Sequence, residues 1–157
     1  MVTMKKRSFA GWVLIVKEKP SEYEKSVVGL ARSSREVHEL LRERALSEGV
    51  ERMYVVCLDG LNHATYCHEV SRGGLHGCAI SARDILRVVL MAGASAFALV
   101  HNHPSGDPTP SVEDVAMTKR VAEAAAVVGV PLVDHVIIGG WDKFTSLLDL
   151  GVLGVGG

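Results

Sequence analysis

The sequence predicts a single α/β domain, a layered structure in which helices pack on a sheet. Ala96–Val100 is a continuous apolar run, and Val133–Ile138 is a second strand-like segment closed by glycine; both have the length of buried strands rather than helices. Helix-start signals recur between such segments, the alternation expected of one α/β layer structure. The chain has 157 residues, 48% of them hydrophobic, which fits one domain around one core.

The first thirty residues are the least regular. Val13–Val16 fits an edge strand, and residues 17–25 (KEKPSEYEK) form a polar connection. Ser33 and Glu36 have capping-box spacing, so a helix begins at Ser33 or Ser34, aligns Val37, Leu40, Leu41 and Ala45 on one face, and stops at Gly49. Arg52–Leu58 and His63–Glu69 flank the turn residues Asp59-Gly60 and predict a β-hairpin, followed by the glycine-bearing segment 71–77 (SRGGLHG). Ser81 and Asp84 cap a second helix whose apolar side holds Ile85, Leu86, Val89 and Leu90, ended by Gly93.

The strand Ala96–Val100 comes next, then a helix over Val112–Val128 closed by Gly129 and Pro131, then the strand Val133–Ile138. Gly139-Gly140 turns the chain into a last strand at Phe144–Leu148. The division predicted is an irregular N-terminal segment over 1–32, one domain over 33–150 and a loose tail over 151–157.

Charge and cysteine content narrow the function classes. Seventeen Lys and Arg against eighteen Asp and Glu give a net charge of -1, so no basic excess points to nucleic acid. Cys57, Cys67 and Cys78 are odd in number and contain no C-x-x-C pair, which argues for a reducing compartment and against a cysteine zinc site. The apolar run Trp12–Val16 is broken at once by Lys17, Glu18, Lys19 and Pro20, too soon for a signal sequence or a membrane span. A cytoplasmic protein is expected.

The segment 101–114, HNHPSGDPTPSVED, carries the chemistry. Strand side chains alternate, so His101 and His103 project to the same side if the strand continues that far. With Ser111 as N-cap, Asp114 is the third residue of the following helix, close to the strand end, whereas Glu113 points elsewhere and Asp107 sits mid-loop in a turn position. Two imidazoles and one carboxylate give zinc three protein ligands, and its tetrahedral preference leaves one position for water. The competing account is that Ser-x-x-Asp before an apolar run is an ordinary helix start, its acids favoured by the helix dipole.

The pattern H-x-H, seven residues, S, two residues, D resembles the metal motif of the JAMM (MPN+, or JAB) metalloprotease-like domains, in the RadC-like form that reads HNHPSG. RadC-like proteins carry a later Asp-His pair before an apolar strand, here Asp134-His135. Residues 58–75 (LDGLNHATYCHEVSRGGL) look like the RadC hairpin, and 81–90 (SARDILRVVL) are similar to its P-R-E-V helix, so the likeness covers roughly residues 35–150. It implies a mixed central sheet flanked by helices, resembling the cytidine-deaminase-like architecture. It also implies a zinc hydrolase acting on a peptide or isopeptide bond, with one Zn2+ per chain held by His101, His103 and Asp114. Glu69 would be the general base, and Ser111 would steady the oxyanion, a role that competes with capping the helix.

Other polar residues rank lower. Asp134 or His135 would orient a metal ligand or form a buried structural pair. His63, His68 and His76 gather near the hairpin, where surface or packing roles are expected, and Cys67 shares the strand face of Glu69. Many RadC proteins begin with a helix-hairpin-helix region associated with DNA binding, for which this chain leaves no room, and Gly73-Gly74 stands where most relatives have Gly-Thr. The rival expectation is a non-catalytic MPN-like scaffold or a DNA-associated accessory protein. A peptide or protein substrate is the expected partner, with room for a homo-oligomer and no membrane.

Overall fold

The computed structural model describes residues 4–9, 12–17, 29–47, 49–73 and 80–154. Met4–Phe9 (β1) and Trp12–Lys17 (β2) pair as a two-stranded antiparallel sheet, so the strand expected at Val13–Val16 has a partner. The polar connection beyond Lys17 lies outside the described residues, as do His76, Cys78 and the last three residues of the tail.

The main sheet has six strands. Gly29–Leu30 (β3), Arg52–Leu58 (β4), His63–Arg72 (β5), Ala96–Asn102 (β6), Leu132–Ile138 (β7) and Phe144–Ser146 (β8) lie in the order β3-β5-β4-β6-β7-β8. β6 and β7 run parallel, and the other neighbours run antiparallel. The sheet is therefore mixed, and its helices Ser34–Leu46 (α1), Ala82–Met91 (α2) and Val112–Val128 (α3) cover both faces. This is the mixed central sheet flanked by helices that the sequence resemblance implies.

Strand alternation sorts the core into two layers. On one face, Val37, Leu41 and Ala45 of α1 pack against Tyr54, Val56, Val100 and Ile138. On the other, Ile85 and Val89 of α2 and Met117, Val121 and Ala125 of α3 pack against Met53, Val55, Phe97 and Leu99. In β4, then, odd-numbered side chains face α2 and α3, and even-numbered ones face α1.

The helix starts are where the side-chain oxygens predict them. Ser33, Ser81 and Ser111 each accept a hydrogen bond from the amide three residues on, in Glu36, Asp84 and Asp114 respectively. β5 runs three residues past Glu69, to Arg72. β8 stops at Ser146, short of Leu148, because Asp134 draws the chain out of the ladder by accepting from Ser146 Oγ at 2.8 Å and from Leu148 N at 3.1 Å. In the tail, Val152 N donates to Leu147 O, and the buried Leu153 packs with the α2 and α3 layer. Among the described residues no helix is long and apolar enough to cross a membrane.

Candidate metal centre

β6 carries its extended course into the site loop, because His103 N donates to Ile138 O at 2.9 Å and keeps the chain alongside β7. His101 pairs with Met53 across the β4–β6 ladder, so its ring projects toward α2 and α3, and His103, two residues on, follows it. His101 is fully buried and His103 is partly open to solvent. Their Nε2 atoms stand 2.9 Å apart.

The outer nitrogen of each ring has its own partner. His103 Nδ1 lies 2.8 Å from Asp107 O; a carbonyl only accepts, so Nδ1 carries the proton. His101 Nδ1 lies 2.8 Å from Nε2 of the fully buried His135. Burial holds His135 well below the ordinary imidazole value, which keeps it neutral.

Asp114 enters from the start of α3. Ser111 and Asp114 close a reciprocal capping box: Ser111 Oγ accepts from Asp114 N at 3.0 Å, and Asp114 Oδ2 accepts from Ser111 N at 2.8 Å. This fixes the carboxylate, 1% exposed, with Oδ1 3.4 Å from His101 Nε2 and Oδ2 3.4 Å from His103 Nε2. Burial works against its ionisation, and the two Ser111 hydrogen bonds favour the charged form.

These contacts call for a cation. Asp114 Oδ1 is buried with no hydrogen-bond partner among the described residues. Two neutral imidazoles whose protons sit on Nδ1 would present lone pairs to each other and to a carboxylate, which costs free energy unless a positive charge lies among them. Ligands of a tetrahedral zinc at its usual bond lengths stand about 3.3 Å apart, close to the two 3.4 Å contacts and a few tenths of an ångström beyond the His–His separation. The residues fit such an ion.

A second carboxylate belongs to this cluster. Glu51, His101 and His103 each offer a ligand atom, and the three atoms lie within 4.8 Å of one another. The β4–β6 register explains it: pairing Met53 with His101 in antiparallel strands sets Glu51 opposite His103 on the same face. Glu69 is held elsewhere. It pairs with Tyr54, whose ring belongs to the α1 layer, and its carboxylate meets Arg72 Nε at 3.0 Å and Arg52 at 3.6 Å.

The remaining candidates have identifiable duties. Asp107 accepts from Thr109 N and Thr109 Oγ1 within its own turn, and Glu113 is exposed. Asp134 accepts from His135 N and from Ser146 and Leu148 on the face opposite the histidines. His63 pairs with Asp59 in the hairpin turn, His68 stacks with Tyr66, and Cys67 is buried in the α1 layer. The sequence does not single out Glu51, because only the antiparallel register of two strands far apart in the chain brings it to His103. The available signal was its place one residue before a strand that had to neighbour β6.

Comparison with known proteins agrees with this architecture. A family model for the RadC-like JAB domain matches residues 31–152. A UPF0758 protein of Syntrophomonas wolfei is 39% identical over 114 residues, covering 70% of this chain and 48% of that protein. One from Chlorobium phaeovibrioides is 37% identical over 124 residues, 78% of this chain and 56% of its own length. A Listeria monocytogenes relative is 42% identical over 101 residues, 64% and 45% of the two chains. The chain spans about half the length of the curated relatives it matches. With a mixed sheet between helices, a His-x-His strand end facing a helix-start aspartate, and a family model covering most of the sequence, this chain belongs to the RadC-like JAB domain family.

Proposed function

We propose that the chain is a zinc-dependent hydrolase of the JAMM type, acting on a peptide or isopeptide bond, with one zinc ion per chain held by His101, His103 and Asp114. The observation that carries this reading is the convergence of two imidazole Nε2 atoms and a buried, unpartnered carboxylate oxygen, with Glu51 beside them. A zinc ion held by these residues would supply Lewis acidity and lower the pKa of a water molecule toward about 7.

The protein side chains do the rest. Glu51, rather than Glu69, would take the proton of the attacking water and return it to the leaving amine; what supports this is that Glu51 shares the histidines' face while Glu69 is engaged by two arginines. Ser111 caps α3 with an oxygen lone pair, a use that leaves its hydroxyl hydrogen free to donate to the oxyanion of the tetrahedral intermediate. Capping and oxyanion binding therefore need not compete.

Metal analysis of the purified chain, paired with cleavage assays on a library of quenched fluorescent peptides and isopeptide-linked conjugates, tests the proposal. The expected result is about one zinc per chain and a cleavage activity that chelation removes. A chain that takes up no zinc, with His103→Ala indistinguishable from the parent in uptake, would overturn it and favour the binding-scaffold alternative.

A further inference from the structure

The Asp-His pair of β7 is not used by the chemistry above, yet His135 touches His101 directly. Its other nitrogen, Nδ1, lies 2.6 Å from Thr118 Oγ1, and the same hydroxyl lies 2.6 Å from Asp114 O, one helical turn earlier. His101, Thr118 and His135 are all completely buried. Thr118 thus bridges the backbone of one candidate ligand and, through His135, the ring of another.

Proton accounting gives this chain of contacts a direction. A carbonyl only accepts, so the Thr118 hydroxyl donates to Asp114 O. That uses its one hydrogen, so the contact with His135 must run the other way, from His135 Nδ1–H to Thr118 Oγ1. A second proton on His135 would create a fully buried imidazolium with no carboxylate in contact with its ring among the described residues, which is costly. His135 Nε2 is then an acceptor, and the proton in its 2.8 Å contact belongs to His101 Nδ1. His101 Nε2 is left bare, facing Asp114 and His103.

We propose that Thr118 and His135 are positioning residues that lock His101 in its Nδ1–H tautomer, so that its Nε2 lone pair is presented to the metal before the metal arrives. The inference rests on the assignment of His101 as a ligand under the proposed function. It does not need the chain to cleave anything. A metal-ligating imidazole commonly gives its second N–H to a carboxylate or a carbonyl. Here the acceptor is a second imidazole, itself set by a threonine.

The test is nitrogen-15 NMR of the whole histidine-labelled 157-residue chain, zinc-loaded, reading which ring nitrogen of His135 carries the proton, with zinc affinity measured by chelator competition. The parent should show His135 as the neutral Nδ1–H tautomer. Thr118→Val, which keeps the shape and removes the hydroxyl, should shift the His135 proton toward Nε2 and weaken zinc binding about 10- to 100-fold. Thr118→Ser should restore both. A parent His135 protonated on Nε2, or a Thr118→Val protein with unchanged tautomer and unchanged affinity, would overturn the proposal. All of these readouts are made without substrate, so an absence of hydrolysis, which would count against the proposed function, leaves this result standing.

Discussion

Asn102 Oδ1 accepts a 2.8 Å hydrogen bond from Arg52 N, and Asn102 Nδ2 donates to Val50 O at 2.9 Å. One side chain therefore clasps the peptide groups on both sides of Glu51. The residue between the two histidines is the clamp that holds the neighbouring carboxylate strand against β6. Asn102→Ala should leave the Arg52 N–H without its acceptor and cost about 1–3 kcal/mol of stability. It should also loosen Glu51 while leaving His101, His103 and Asp114 in place. The expected phenotype is near-normal zinc content, a lowered denaturation midpoint and a fall in kcat. Unchanged stability in a urea titration would show that the clasp contributes nothing.

Glu51 and Glu69 should separate cleanly under substitution. Glu51→Gln keeps the shape, retains zinc and removes the proton acceptor, so turnover should fall about 10²- to 10⁴-fold with little change in stability. Glu69→Gln acts on the fold instead, because it removes one of the charges set against Arg52, a residue that is 1% exposed. Glu69 is itself partly open to solvent, so the expected loss is about 1–3 kcal/mol, below that of a fully buried pair. Equal loss of activity in both, at equal stability, would contradict this division.

The division also shows what the sequence could and could not reveal. His101, His103, Ser111 and Asp114 were legible because their relations are local: alternation along one strand and the first turn of one helix. The strand and helix types were legible for the same reason, and the three serine caps fell at the expected residues. The position of Glu51 depends on which strands pair and in what register, and no local pattern encodes that. Glu69 was named by family likeness, but the pairing of Glu69 with Tyr54 puts it on the face opposite His101. Likewise, the end of β8 was set by Asp134, a side chain from another strand, rather than by the run Phe144–Leu148 itself.

Gly139 should tolerate no side chain. A Cβ there would stand 2.7 Å from Gly106 O and 2.7 Å from Pro108 Cδ, so the loop that brings Asp107 O to His103 would have to move. Gly139→Ala is expected to cost about 1–3 kcal/mol and to weaken zinc binding by freeing the His103 ring. Gly140→Ala is the control, since its Cβ would meet Lys143 at an ordinary 3.7 Å. Similar zinc affinities for the two variants would mean that the Gly139 contact does not support the site.

Stability should fall as the pH drops through the ordinary histidine range, and His38 should be one cause. His38 is 1% exposed and stacked on Phe144; Nε2 donates to Gly140 O at 3.2 Å, and Nδ1 is buried without a hydrogen-bond partner among the described residues. Protonating Nδ1 would create a charge with no acceptor. Burial therefore lowers the His38 pKa, the Gly140 carbonyl opposes the shift, and Arg42 adds to it. With the folded value depressed, the unfolded chain binds the proton more readily, so this contribution is fully present above the unfolded value of about 6.5 and is lost as the pH falls below it. One such group can tilt stability by at most about 1.4 kcal/mol per pH unit. Urea unfolding of metal-free protein between pH 8 and pH 5 should show the slope, and His38→Gln should reduce it; an unchanged slope in the variant would remove His38 from the account.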